Sequence, residues 1–300
     1  MDSITQSWFD LKFQVAFISK RQDEFQDFFA AIMEKRYPGD FQRVRPWGSQ
    51  GDRKNDGYLK SMRTLFAVYA PNELKVNNAI KKIDSNFLGA LPFWKDYFGT
   101  WVFVHNSPMG LGPQVLKKLL ELGETHPAVA ISHWGMEELR REVQQLNPSE
   151  LCSLFGPAPT QSDMLALSMP DIQPIIDHIS SLPEPAPLQV KPVPAGKIEH
   201  NMLSPHVTAL LKAGMTRERL VWKYFHRRTD PTHRDRIGTA FRAEYLRLKS
   251  QMTNPDDVFR GLQVFAGGSG ISSPRHQCGV LAVLAYFFGA CDVFEEPEST

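Results

Sequence analysis

Cysteine is scarce in this chain of 300 residues: Cys152, Cys278 and Cys291 stand alone and far apart. That spacing excludes a disulfide framework and a cysteine-rich zinc site, and it fits a reducing compartment. Long apolar runs are missing too. The longest, Gly279 to Phe288, is half the ~20 residues a membrane-spanning helix needs. The opening Met1-Asp-Ser-Ile-Thr-Gln lacks the basic start and apolar stretch of a secretory signal, so a cytoplasmic protein with no membrane partner is expected. Net charge is only +1, which argues against an overall nucleic-acid-coating surface or an acidic tail. No Gly-x-x-x-x-Gly-Lys-Ser/Thr loop is present, and no internal repeat. His105 and His133 each follow a buried strand without Cys or Asp neighbours, so nucleophilic triad chemistry is not expected and both read as hydrogen-bonded strand ends.

What is present is enough apolar sequence, 42% against 22% charged, to bury two cores. Residues 9–20 alternate and read as an opening strand or a loose lead-in. From Gln22 to Arg36, Phe25, Phe28, Phe29, Ile32 and Met33 recur at helical spacing, and Tyr37-Pro38-Gly39 stops them. Strands are expected at Phe41–Pro46, Tyr58–Met62, Leu65–Tyr69, Trp101–His105 and Ala128–Ser132, with helices after Pro71, over Pro113–Leu122 and over Met136–Leu146. Residues 1–155 thus form an α/β domain, a mixed sheet flanked by helices. Prolines at 183, 185, 187, 192 and 194 mark residues 156–198 as a proline-rich linker or arm, with room for one short helix over Asp171–Ser181. Residues 199–300 return to helical spacing as a small all-α domain, where Thr216 is expected to cap a helix over Arg217–Arg227.

Two places carry candidate chemistry. The first is the turn Gly48-Ser-Gln-Gly51-Asp52-Arg-Lys-Asn-Asp56-Gly57, which leads through Tyr58 towards the apolar strand ending at Tyr69. Its acids are Asp52 and Asp56, Glu24 lies on the preceding helix, and Arg43, Arg45 and Lys54 border it in positions that suit a DNA backbone. The plain alternative is that Asp56-Gly57 only turns a hairpin and Glu24 is solvated. The second is the basic cluster Arg227, Arg228, Arg234 and Arg236, interleaved with Trp222, Tyr224 and Phe225. Either it forms a positive face for phosphates, or its aromatics are core and its arginines pair with Asp230, Asp235 and Glu244.

The Gly48–Gly57 turn, Val68-Tyr69-Ala-Pro71 and Trp101-Val-Phe-Val-His-Asn106 together resemble a PD-(D/E)XK domain, the restriction-endonuclease-like fold of Mrr-like enzymes. The resemblance implies Mg2+ or Mn2+ held by Asp56, Asp52 and Glu24, and metal-assisted phosphodiester hydrolysis. It also exposes two departures. Ala67 stands where the second acid belongs, and Tyr69 where the lysine belongs, so Lys81 or Lys82 of the next helix would have to supply the amine. Lys197-Ile-Glu-His-Asn201-Met-Leu-Ser, Phe241-Arg-Ala-Glu-Tyr245, Ala285-Tyr-Phe-Phe288 and Cys291-Asp-Val-Phe-Glu295 resemble the carboxy-terminal domain of bacterial ABC-three-component anti-phage systems. That implies a homo- or hetero-oligomer with a separate ATPase or sensor chain, since this chain has no P-loop of its own. Two functions stay open: a nuclease-like component that binds DNA and, if its site assembles, cleaves it, and a catalytically inactive adaptor that binds partner proteins.

Overall fold

The computed structural model describes residues 1–45, 54–183, 197–267, 273–290 and 293–294, with Glu199 described by its backbone. The turn residues 46–53, which include Asp52, and the proline-rich stretch 184–196 lie outside the described residues, as does Cys291. The chain divides into two compact units, Lys12–Phe155, and Met1–Leu11 together with Gly156–Thr300. Helix α1 (Ser3–Ser19) crosses the division. Residues 9–19 are therefore helical and not an opening strand. The alternation of Phe13, Val15 and Phe17 also places Phe13 and Phe17 one turn apart, and their rings meet at 6.1 Å.

In the first unit α2 (Gln22–Arg36) buries Phe25, Phe28, Phe29, Ile32 and Met33, the stripe its spacing anticipates. The sheet runs β1 (Phe41–Arg43), β2 (Gly57–Leu59), β3 (Thr64–Tyr69), then β4 (Thr100–His105) after α3 (Val76–Trp94), and β5 (Ala130–Trp134) after α4 (Pro113–Thr125). Spatial order is β1-β2-β3-β4-β5. The first three strands are antiparallel, whereas β3–β4 and β4–β5 pair in parallel, each across a helical connection. Helices α5 (Met136–Gln144) and α6 (Pro148–Phe155) complete the unit.

Side chains alternate along β3, so its two faces meet different helices. Phe66 meets Phe29 of α2 at 5.4 Å and Trp134 at 5.1 Å. Leu65 and Ala67 enter an apolar cluster with Ala79, Ile83 and Phe87 of α3, Trp101 and Phe103 of β4, and Val115 and Leu119 of α4. Helices α2 and α3 consequently cover opposite faces of the sheet.

In the second unit α8 (Met169–Ser180) stands where one short helix is expected within the proline-rich stretch, and α7 (Gln161–Leu165) adds a helical turn that the expectation of linker or arm did not include. Pro170 lies in the first turn of α8, where proline is compatible with a helix. Thr160 with Asp163 and Ser168 with Asp171 form capping boxes, and Ile172, Ile175, Ile176 and Ile179 are buried. The same device recurs downstream. After α9 (Lys197–His200), Ser204-Pro205 opens α10 (Pro205–Met215). Helices α11 (Glu218–His226) and α12 (His233–Gln251) follow; Asn254-Pro255 opens α13 (Pro255–Phe265) and Ser273-Pro274 opens α14 (Pro274–Gly289). Each cap side chain accepts an N–H of the first turn while proline fills a position whose own N–H has no helical partner. Thr216 is the C-cap of α10, and Arg217 stands at the N-cap of α11 without a side-chain bond.

Helix α14 is the core of this unit, buried almost continuously from Gln277 to Phe288. Helix α10 crosses it so closely at Gly214 that a Cβ there would collide with the Leu281 carbonyl oxygen and come within 2.8 Å of Ala285 Cβ. Phe241 of α12 joins the core through Phe287 at 4.9 Å and Phe265 at 5.3 Å.

Candidate functional site

The amino-terminal candidate is an open cavity of about 430 Å3 between α2 and the start of the sheet, lined among others by Asp23, Gln26, Asp27, Arg43, Arg45 and Asp56. Asp56 is fixed there by the ladder. Its N–H donates to the Phe66 carbonyl (2.8 Å), its carbonyl accepts from the Val44 N–H (3.0 Å), and its Oδ2 accepts from the Val68 N–H (2.7 Å). The carboxylate therefore continues the pairing of β3 one step beyond the end of β2, satisfying a main-chain donor that would otherwise be orphaned.

The two arginines of the cavity are held by acids. Asp27 Oδ1 takes Arg43 Nη1 at 3.0 Å and Arg45 Nη2 at 2.8 Å, and Glu34 takes Arg43 Nε at 3.3 Å. Asp27 and Glu34 are the residues sequence reading overlooked. Asp23, Asp27 and Glu34 recur on the polar face of α2 at the spacing of one helix face, and that was the available signal.

Of the remaining predicted site residues, those that are described do not assemble with Asp56. Glu24 is exposed on α2 and is not among the residues lining the cavity. Lys81 and Lys82 are exposed on α3, the helix that covers the other face of the sheet. Lys54 also lies towards α3, its Cγ 2.7 Å from where a Cβ on Gly89 would stand. Tyr69 points to the α3 side, its ring 6.0 Å from that of Phe103, and burial raises its phenol pKa, so it is a neutral hydroxyl at pH 7. Ala67 is fully buried in the apolar cluster, where a carboxylate would be desolvated and unpaired. Among the described residues no group of three or more His, Cys, Asp or Glu side chains is arranged to hold a metal ion. The described donors thus do not fit the Mg2+ or Mn2+ centre that the resemblance implies.

A second polar cluster stands at the carboxyl ends of the parallel strands. His105 is 1% exposed, its ring 5.7 Å from that of His133 and pressed against Gly135, where a Cβ would lie 2.9 Å from His105 Cε1. His105 Nδ1 accepts the Ser107 N–H at 3.2 Å, which assigns its proton to Nε2. Burial, with a smaller contribution from His133, lowers its pKa to about 4 against the opposing pull of Glu138, so the ring is neutral at pH 7. Glu138 itself accepts the Gly135 N–H at 2.9 Å and starts α5.

In the helical unit the predicted basic cluster is largely neutralised. Arg228 reaches Asp177 at 3.4 Å and the Tyr224 hydroxyl, Arg234 reaches Asp235 at 3.1 Å and lies over the Phe287 ring at 5.6 Å, and Arg236 reaches Asp230 at 3.0 Å. Tyr224 and Phe225 are core residues. Arg227 is exposed, and nearby Trp222 is 46% exposed with its ring stacked on His226 at 3.6 Å.

Comparison with known proteins bears on this second unit. Residues 170–295 match the family model described as C-terminal domain 10 of the ABC-three component (ABC-3C) systems. The match starts within α8 and runs past α14, so the buried helix α8 belongs to the matched domain. No curated protein and no solved structure matches the chain significantly.

Proposed function

We propose that this chain is a protein-binding component of a bacterial ABC-3C anti-phage defence assembly. Its helical unit docks on a separate ATPase or sensor chain, and its α/β unit is a restriction-endonuclease-like module that has lost the usual catalytic set. The observation that carries the first half is the match of residues 170–295 to a C-terminal domain of those systems. The second half is supported by the division of the predicted residues between two faces of the sheet and by the engagement of Asp56 with β3. Glu24, Asp56 and a lysine do not converge, so the described residues offer no complete set for Mg2+- or Mn2+-assisted hydrolysis. The assembly works in the cytoplasm.

The test is co-expression of the full chain with a candidate ABC-type ATPase chain from the same organism. Co-elution as one species is the expected result, and separate elution with and without nucleotide overturns the docking reading. A second reading, DNA binding with cleavage, is favoured by the collection of Asp23, Asp27 and Asp56 beside Arg43 and Arg45 in one cavity. Plasmid incubated with the assembled complex and Mg2+ or Mn2+ decides between them. Intact plasmid is expected, and cleavage that disappears in Asp56→Ala would establish the nuclease.

A further inference from the structure

Among the described residues, no strand pairs with the outer edge of β5. It is the last strand of the sheet, and Ala130-Ile-Ser-His-Trp134 contains no lysine, proline or other charge-bearing device of the kind that guards exposed edges, apart from a single histidine. The Ala130 N–H donates to the Gly99 carbonyl at 2.8 Å, on the β4 side. In a parallel ladder alternate residues address the same neighbour, so Ala130, Ser132 and Trp134 face β4, while the N–H and C=O of Ile131 and His133 point away from the sheet. The Ile131 and His133 N–H groups have no backbone partner among the described residues.

Beside this edge lies an apolar overhang. On α4, Val115, Leu119 and Leu122 are buried, and Lys118 pairs with Asp84 of α3 at 2.7 Å. Helical geometry turns Leu116, Leu120 and Gly123 to the side away from α3. A Cβ on Gly123 would lie 3.9 Å from Ile131 Cγ1, which places that side of α4 next to β5. Leu116 is 40% exposed and Leu120 is 62% exposed.

We propose that β5 is the seam of a homodimer in which two copies of this chain join their sheets edge to edge, antiparallel, about a two-fold axis through Ser132. A second copy is favoured over a foreign strand because the edge is self-complementary. With Ser132 opposite Ser132, each Ile131 faces a His133 of the other copy. Those are the outward-pointing residues, so each such pair exchanges both its N–H···O=C bonds. Ile131 and His133 share one face, no like charges stand opposite at neutral pH, and the same axis brings the Leu116–Leu120 sides of the two α4 helices together.

Light scattering and sedimentation of the full chain test this. The wild type is expected to run at twice the chain mass. Ser132→Lys, which sets lysines against each other at the axis, and Leu120→Glu should each give the monomer mass. Both positions are exposed, so the fold survives. Mixing Ser132→Lys with Ser132→Glu should restore the dimer. Hydrogen exchange adds a local readout, with Ile131 and His133 amides protected in the wild type and fast in either single variant. A monomeric wild type overturns the proposal, and so does a dimer that neither variant weakens. Protection at Ile131 that appears only on adding a different protein also overturns it and gives the edge to that partner.

Discussion

Acidification tests the buried end of β4. His105 is 1% exposed and its pKa is lowered to about 4, from an ordinary histidine value of 6.5. The groups that face it are His133, which disfavours its protonation, and Glu138, which favours it; burial, reinforced by His133, outweighs Glu138. Above pH 6.5 the ring is neutral in folded and unfolded chains alike, and the full stability is present. Between pH 6.5 and 4 the unfolded chain takes up a proton that the folded one refuses, so stability falls by about 1.4 kcal/mol per pH unit, and the total loss is about 3 kcal/mol. Below pH 4 both forms are protonated and this contribution is flat. Urea unfolding at steps from pH 7 to 4 measures the slope, and His105→Asn isolates it. Asparagine keeps an acceptor for the Ser107 N–H but cannot titrate, so the variant should lose the slope assigned to His105 while retaining that of the carboxylates. Asp40 and Asp171, whose pKa values are held down by hydrogen bonds from Ser61 and Ser168, supply stability that is lost at still lower pH. A His105 ring resonance titrating with a midpoint near 6.5, or an unchanged slope in the variant, refutes the reasoning.

Substitutions at three other places probe the remaining arguments. Asp56→Ala removes the acceptor of the Val68 N–H and should cost ~1–3 kcal/mol in the α/β unit, with Asp56→Asn costing less; equal urea midpoints for wild type and Asp56→Ala would show that the cap is unimportant. Gly214→Ala drives a methyl into the Leu281 carbonyl and should destabilise the helical unit by ~1–3 kcal/mol, so an unchanged melting temperature would contradict the close α10–α14 crossing. Ala67→Glu combined with Tyr69→Lys writes the missing acid and amine back into β3. A carboxyl at residue 67 whose pKa rises by ~3 units costs about 4 kcal/mol at pH 7, so this variant should be unstable and fail to cleave plasmid, whereas a stable, metal-dependent nuclease would reverse the reading of the sheet.

Element type was legible wherever periodicity and punctuation agreed. The stripe of α2 and the apolar run of β4 are local signals, and the structure uses them locally. Two segments read less well because one pattern serves two periods or one residue serves two roles. Phe13, Val15 and Phe17 alternate, yet their setting is helical because Phe13 and Phe17 bury the same side of α1. Proline signals extended chain in its density but is compatible with a helix start in its position, as at Pro170 of α8, whereas α7 opens on Thr160 and Asp163 without a proline.

The candidate site was less legible because a site is a relation between elements, and chain order does not say which face of a sheet each element covers. Glu24, Asp56 and Lys81 follow one another in the order a restriction-endonuclease-like motif requires, but the strand between them has helices on both sides. Phe66 ties α2 to one face, and Leu65 and Ala67 tie α3 to the other. On β3, an acid at residue 67 and a lysine at residue 69 would share the α3 side, so neither would reach the cavity beside α2 where Asp23, Asp27 and Asp56 gather. Asp56 still has a physical reason to be acidic without metal chemistry. It accepts the Val68 N–H where β2 has ended, and a side chain with no acceptor would leave that donor exposed at the edge of the core. The same residue that marks the resemblance is therefore accounted for as a piece of the fold, and the arginines expected to meet DNA are accounted for by Asp27 and Glu34. Among the described residues of this unit, β5 is the last strand of the sheet, and Leu116 and Leu120 of α4 are exposed.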